Sequence, residues 1–303
     1  MMKIAIIGSG AMGSLFGAYL SKKNDVYMID ISQDAVNKIN NFGICIEEQD
    51  HSKEYYHVNA FLSGECKIVC DLVILFVKST QNVAALQKNL AIIGSNTILM
   101  SLQNGSGNDK DMARFVDKKQ IVVGNTLNNC VTLENGNVYH SGCGLTIIGS
   151  LVNSDNVKVC ANILKESSFE TKIDNDINKV IWHKLFTNAT LNPITALFNT
   201  KIKVCRENKD MWTLVENVLK EAILVANHDG CNFDYNEILK EIYDTTIRVG
   251  SGYTSMAQDL MNKRYTEIDK INGAISNLAY QYGIETPYND FLVTAIHAKE
   301  KMF

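Results

Sequence analysis

KIAIIGSGAMGSLFGAYLSK, residues 3–22, decides the fold. KIAII (3–7) reads as a buried strand and AMGSLFGAYLSK as the helix behind it. Between them, GSGAMG (8–13) has the form G-x-G-x-x-G. In that setting Gly8 permits a tight turn, Gly10 lets the backbone approach a pyrophosphate, and Gly13 lets the helix pack close to the sheet. The helix N-terminus adds free N–H groups and a positive dipole end for the anion. Gly8, Ser9, Gly10, Ala11, Met12 and Gly13 are therefore the expected dinucleotide loop. A bare glycine pattern would carry little; the strand before and the helix after give it force.

DVYMID (25–30) is a second strand, and Asp30 stands at its end, 17 residues beyond Gly13. A carboxylate there can accept hydrogen bonds from ribose hydroxyls and repels a 2′-phosphate. Ile31 and Ser32 follow, with no arginine to bind such a phosphate. The competing role for Asp30, capping the next helix, is one that Ser32 can fill. NAD(H) is therefore favoured over NADP(H). Farther on, residues 43–62 look like an excursion of paired strands. DLVILFVK (71–78) is a near-continuous apolar run, as in a strand covered on both faces. A helix (81–90), the strand NTILMSL (96–102), a helix (108–116) and the strand IVVGNT (121–126) come next. Such alternation predicts a parallel, doubly wound α/β sheet. Strands return between 128 and 149, and a helix near 155–166 and the strand ETKI (170–173) close this half. Lys78 and Asn104 fall at carboxyl ends of parallel strands, where ligands of open sheets collect. Taken alone, Lys78 could equally be a solvated surface lysine, and Asn104-Gly105 a turn.

After Asp174 the pattern is helical. Residues 176–198, 210–228, 236–249 and 266–282 carry apolar stripes at spacings of three and four. Thr266, with Asp269 three residues on, can cap the helix whose apolar face is Ile268, Ile271, Ile275, Leu278 and Tyr282, and Gly283 stops it. Thr286 is placed to cap a last helix with Pro287 at its first position. The expected organisation is a dinucleotide-binding domain over residues 1–174 and an all-helical domain over 175–303, abutting with a cleft between them.

Bulk properties agree. A chain of 303 residues is longer than one core usually serves, which favours two domains. The net charge of −4 gives no footprint for nucleic acid. No apolar stretch approaches membrane-helix length, so no membrane partner is expected. The opening MMKIAIIGSG reads as a first strand rather than a signal peptide. Eight cysteines, with no C-x-x-C and no histidine pair at ligand spacing, read as reduced, buried or half-buried thiols of a cytoplasmic protein, and no metal is assigned. The long C-terminal helices offer stripes that a second copy could cover as a homodimer, but nothing in the sequence demands one.

WHKLFTNATLNPITALF (182–198) raises a separate question. Lys184, Asn188 and Asn192 at i, i+4 and i+8 form nearly one line along a helix, drifting about 40° per step. Trp182, Leu185, Phe186, Ala189 and Leu191 can wall that row. Pro193 should bend or tighten the helix near Asn192. Donors and amides in an apolar frame suit an oxygen-rich anion, although a solvated stripe would have the same spacing. His183, about 100° around the helix, reads as a bystander. TSMAQDLMNKRYTEID (254–269) adds Ser255, Asp259 and Glu267 in one polar stretch.

Together these segments resemble the ketopantoate reductase (2-dehydropantoate 2-reductase) family and its NAD-dependent D-2-hydroxyacid dehydrogenase relatives, of D-mandelate type. The matching pieces are IAIIGSGAMGS, VK (77–78), QNG (103–105), WHKLFTNATLNPITAL (182–197) and SMAQDLMNKRYTEIDKINGAI (255–275), in the family's order over essentially the whole chain. The resemblance implies a Rossmann domain, then a helical domain, with the active site in the cleft. It implies Lys184 as general acid, with Glu267 beside it and toward the cofactor. Asn188 and Asn192 would hold substrate oxygens and Ser255 the substrate carboxylate. Asn104 would contact cofactor and substrate, and Cys130 would offer a backbone contact to the cofactor.

Two departures stand out. Asp30-Ile31 replaces the basic residue that NADP-using members carry after the second strand. A further substrate-contacting polar position falls at or near Ile202, so that contact is missing. The reaction so implied is hydride transfer to the ketone of a 2-oxo acid, with the Lys184 ammonium stabilising and protonating the developing alkoxide. The first expectation is a ketopantoate reductase of pantothenate biosynthesis. The second is an NAD-dependent dehydrogenase of branched or aromatic 2-oxo acids. A third, from another class, is a non-catalytic dinucleotide sensor, against which the proton donor argues.

Overall fold

Ile4, Ala5, Ile6 and Ile7 are at most 2% exposed, so KIAII has a partner on every side. It forms β1 (Lys3–Ile7), at the centre of an eight-stranded sheet. The computed structural model describes residues 1–133 and 136–303. It divides into two units, one of residues 1–103 and 108–180, the other of 104–107 and 181–303.

In the first unit β1 pairs in parallel with β2 (Asp25–Asp30), which pairs with β5 (Asn59–Leu62). On its other side β1 pairs in parallel with β6 (Cys70–Leu75), followed by β7 (Ile93–Ser101) and β8 (Ile121–Thr126). The chain order therefore reverses between β1 and β6, the switch point where open sheets bind ligands. The sheet is not wholly parallel as expected: β11 (Thr146–Gly149) runs antiparallel to β8, and β12 (Thr171–Ile173) runs parallel to β11. The 43–62 excursion also divides. β3 (Ile44–Glu47) and β4 (Lys53–Tyr56) pair antiparallel, whereas β5 leaves them for the edge beside β2. With β9 (Asn129–Thr132) and β10 (Val138–Gly142) they form a second sheet in the order β4-β3-β10-β9. Glu134 and Asn135, within the 128–149 stretch read as strands, lie outside the described residues.

The helix behind the glycine loop, α1 (Ala11–Leu20), contacts all four strands of this second sheet as well as β1 and β2. That is why Leu15, Phe16, Ala18 and Leu20 are fully buried. The other helices of the unit are α2 (Gln33–Phe42), α3 (Asn82–Lys88), α4 (Asn108–Met112) and α5 (Asn156–Glu166). Two of them are shorter than the periodicity suggests. Five cysteines are buried and two half-buried; Cys143 is exposed, against expectation.

The second unit is helical: α6 (Ile177–Phe198, which begins in the first unit), α7 (Ile202–Glu207), α8 (Lys209–His228), α9 (Tyr235–Arg248), α10 (Ser255–Met261), α11 (Asn272–Tyr282) and α12 (Pro287–Glu300). As the apolar stripe over 176–198 predicts, α6 continues through Pro193. A proline inside a helix leaves the carbonyl four residues back without its donor, a lesion of ~3 kcal/mol or more. Here that carbonyl, on Ala189, accepts the side-chain amide of Asn272 at 3.0 Å. Every residue from 189 to 196 is buried, so packing carries the helix through a position that costs it a hydrogen bond.

The Thr266 cap fails and the Thr286 cap holds in position but not through its hydroxyl, each for an identifiable reason. The Thr266 amide is taken by the Glu300 carboxylate at 2.7 Å, and the Thr266 hydroxyl accepts from Ile268 N. One 3-10 turn (268–270) follows, and the α-helix starts only at Asn272. Of its expected apolar face, Ile268, Ile271 and Ile275 are buried, but Tyr282 is 40% exposed and bonds Asp229. At α12, Pro287 does occupy the first turn, but the Thr286 hydroxyl donates to Asp290. The amides of Tyr288 and Asn289 are capped by the Glu221 carboxylate of α8, at 2.9 and 3.0 Å.

Candidate active site

The glycine loop has the shape a dinucleotide needs. Gly8 has φ +103°, and a Cβ there would lie 2.8 Å from the Phe76 and Val77 backbone, so no other residue fits. A Cβ on Gly13 would land on the Gly8 carbonyl oxygen, which is the close helix–strand contact expected of that position. Gly10, at the N-cap of α1, carries no side chain to cap the helix, and nothing lies within 4 Å of where a Cβ would stand. A helix N-terminus open to an anion is thus built in.

Asp30 reaches back to this loop. Its Oδ2 accepts from Ser9 N at 2.7 Å and from Ser9 Oγ at 2.6 Å. Its Oδ1 accepts from Ser32 N at 2.9 Å, while the Ser32 hydroxyl accepts from Ala35 N and so caps α2. Asp30 is therefore a fixed carboxylate beside the loop rather than the helix cap, and a carboxylate has lone pairs left for ribose hydroxyls. Ile31 next to it is 81% exposed. Cys130, on β9, is half-buried with its Sγ 3.1 Å from Met12 Sδ, and burial pushes its thiol up to about 12, so it stays protonated against the loop. Lys78 lies at the N-cap of the 3-10 turn after β6, and Gln103 Nε2 holds the preceding carbonyl, of Val77, at 2.6 Å.

In the second unit α6 carries Lys184, Asn188 and Asn192 as one row. The expected walls are present: Trp182, Leu185, Phe186, Ala189 and Leu191 are each at most 2% exposed. Asn192 itself is 5% exposed. Burial pulls the Lys184 ammonium down to about 8, against the Glu267 carboxylate, which raises it. His183 points elsewhere, to Glu241 Oε2 at 2.6 Å on α9, as a bystander should.

Ser255 is exposed at the first position of α10. Just before it, Thr254 caps the helix and its hydroxyl meets the Thr195 hydroxyl of α6 at 2.7 Å. That bond ties Ser255 to the Asn192 end of the row. Asp259 belongs to the scaffold: it is buried and accepts Arg264 Nε at 3.2 Å.

Asn104 falls in the second unit with residues 105–107, although the segments flanking them belong to the first. Ser106 N donates to Lys270 O at 2.8 Å, and Gly105, at φ +87°, packs against that same carbonyl. Asn104 is thereby moored to the turn that follows Glu267. Ile202 is buried in the helical core, in keeping with a missing polar contact there.

Residues 4–153 match the family described as ketopantoate reductase PanE/ApbA, and residues 176–300 match ketopantoate reductase PanE/ApbA C terminal. A 2-dehydropantoate 2-reductase of Lactococcus lactis is 33% identical over 310 residues, covering 99% of both chains. The chain belongs to the ketopantoate reductase family. Membership makes it an NAD(P)-dependent oxidoreductase. A Pyrococcus abyssi 2-dehydropantoate 2-reductase is 31% identical over 99% of both chains. Among solved structures, D-mandelate dehydrogenase in complex with NADH and anilino(oxo)acetate superposes with a TM-score of 0.93 at 31% identity and 99% coverage of both chains. A 2-dehydropantoate 2-reductase homologue from Enterococcus faecalis gives 0.81 at 28% identity, again over 99% of each.

Several supporting residues escaped the sequence reading. The bond of the Ser9 hydroxyl to Asp30, the Thr195–Thr254 pair and the reach of Glu300 to the Thr266 amide each join residues far apart along the chain. Only Pro193 left a legible sign, since it announces a carbonyl in need of a donor without naming the donor.

Proposed function

We propose that the protein is a 2-dehydropantoate 2-reductase, reducing ketopantoate to pantoate, with NADH favoured over NADPH. Gly8 to Gly13, Asp30, Lys78 and the Cys130 backbone would hold the dinucleotide, which when bound supplies the hydride. Asn188, Asn192, Ser255 and Asn104 bind the oxygens of the 2-oxo acid, and Lys184 donates a hydrogen bond to the ketone. As negative charge grows on that oxygen, the ammonium stabilises it and then delivers its proton. Orientation by three amides and a hydroxyl lowers the barrier further. Glu267 keeps the amine charged until the transfer.

What supports this reading is the α6 row itself: Lys184, Asn188 and Asn192 stand in one line walled by buried apolar side chains, with burial pulling Lys184 down to about 8 against the Glu267 carboxylate. An acid titrating close to working pH gives and regains a proton readily. A structural lysine would gain nothing from such a place.

A second reading, an NAD-dependent dehydrogenase of bulkier 2-oxo acids, is favoured by Asp30-Ile31 and by the likeness to D-mandelate dehydrogenase solved with NADH. Oxidation of NADH and NADPH, followed with ketopantoate, 2-oxoisovalerate and benzoylformate, separates the two. Fastest turnover of ketopantoate supports the first, and preference for benzoylformate the second. No turnover with any of them leaves a nucleotide-binding sensor.

A further inference from the structure

Pro193 lacks the amide that would close the helix onto Ala189, and the carbonyl so released is buried next to the row of polar side chains. The group that takes its place comes from another helix. Asn272, fully buried at the start of α11, donates one Nδ2 hydrogen to Ala189 O at 3.0 Å and the other to Asn289 Oδ1 at 2.9 Å. Asn289, also fully buried, donates in turn to Glu221 Oε2 at 2.7 Å. Since a carboxylate can only accept, Asn289 must turn its Nδ2 to Glu221 and its oxygen to Asn272. Asn272 must then present Nδ2 to both of its neighbours. The orientation of every amide in the chain Glu221–Asn289–Asn272–Ala189 is thereby determined. Glu221 further caps the α12 amides of Tyr288 and Asn289, so the far end is anchored twice.

Ala189 directly follows Asn188, and Asn192 directly precedes Pro193. The repaired hydrogen bond therefore lies inside the turn that joins these two asparagines. A buried carbonyl without a donor would draw the helix toward some other partner and rotate that turn.

We propose that Asn272 is a positioning residue for the substrate: by supplying the donor that Pro193 removes, it sets the direction in which Asn188 and Asn192 present their amides. This rests on the reading of those asparagines as substrate ligands. Asn272 touches neither reactant; it acts through the Ala189 carbonyl.

The test is a cycle of Asn272→Ala, Pro193→Ala and the double variant, in the full chain. Pro193→Ala restores a backbone N–H that can reach Ala189 O, so it should make Asn272 dispensable. In Asn272→Ala, KM for the 2-oxo acid rises on the order of tenfold while the dissociation constant of NADH, measured by fluorescence, stays within about twofold; the double variant regains a KM within about twofold of the parent. A lowered melting temperature with unchanged KM, or a double variant as impaired as Asn272→Ala, overturns the proposal. Should the parent turn over no 2-oxo acid, the functional reading fails by itself. Amide exchange across residues 186–197 then decides: faster exchange in Asn272→Ala, reversed by Pro193→Ala, supports the brace, and no change overturns it.

Discussion

Glu267 is the acidic group whose charge acts on the half-buried Lys184, raising the lysine while desolvation pulls it down to about 8. With Lys184 as the proposed proton donor, its amine must be charged to stabilise an alkoxide, so kcat/KM for reduction should be level below that pH and fall about tenfold per unit above it. Glu267→Gln removes the charge that raises the lysine, and the break should move to lower pH. A pH profile of kcat/KM for both proteins checks this. A break that stays near 8 in the variant would detach Glu267 from the lysine.

Lys184→Ala deletes the donor and leaves the glycine loop untouched. Turnover should fall by about 10²-fold or more, the usual scale for a lost general acid, with the NADH dissociation constant nearly unchanged. Steady-state rates and a nucleotide titration on the same preparation measure both. Turnover near that of the parent would mean that the proton comes from elsewhere.

The α12 helix offers a stability test with a definite sign. His297 places Nδ1 3.0 Å from Glu300 Oε2 and Nε2 2.8 Å from Asp269 Oδ1, so both ring nitrogens face carboxylates. Burial of the ring works against its charge, but the hydrogen bonds to Glu300 and Asp269 outweigh it and raise the histidine above its ordinary value. A raised group contributes its full stability below the unfolded value of roughly 6.5 and loses it as pH climbs through the folded one. The melting temperature of the parent should therefore exceed that of His297→Ala most at about pH 6, and the gap should close toward alkaline pH. A gap that widens with pH would contradict the sign.

How much of this was legible beforehand depends on distance along the chain. KIAIIGSGAMG could be read outright because strand, turn and helix follow within a dozen residues and each glycine has a local reason. The polar row of α6 was legible for the same reason, since helical geometry relates Lys184, Asn188 and Asn192 directly. The capping at Thr266 was not legible, and at Thr286 only its position was, because Glu300 and Glu221 reach their targets from other helices, and no local pattern records a competitor 34 or 67 residues away. Pro193 shows the same limit: the stripe over 176–198 carries the helix through it, but nothing local names Asn272 as the donor that serves the Ala189 carbonyl. The departure of β5 from its hairpin neighbours for the edge of the main sheet belongs to the same class.

Cofactor choice can be isolated at Asp30. Its carboxylate receives Ser9 N, Ser9 Oγ and Ser32 N, so complete removal would loosen the glycine loop as well as discharge it. Asp30→Asn keeps an acceptor toward Ser9 and discards the charge, which makes it the sharper variant. A 2′-phosphate brought beside the parent carboxylate meets like charge, a repulsive element that disfavours a phosphorylated ribose. Neutralising it should raise the ratio of kcat/KM for NADPH to that for NADH by about tenfold, or ~1.4 kcal/mol, chiefly through a lower KM for NADPH. Asp30→Ala should also raise KM for NADH, because the ribose loses an acceptor and Ser9 loses its anchor. Parallel titrations of both cofactors at fixed 2-oxo acid measure the ratio. If it stays at the parent value in Asp30→Asn, discrimination lies elsewhere around the adenosine, and Ile31, the exposed side chain immediately following, is the next residue to exchange for arginine.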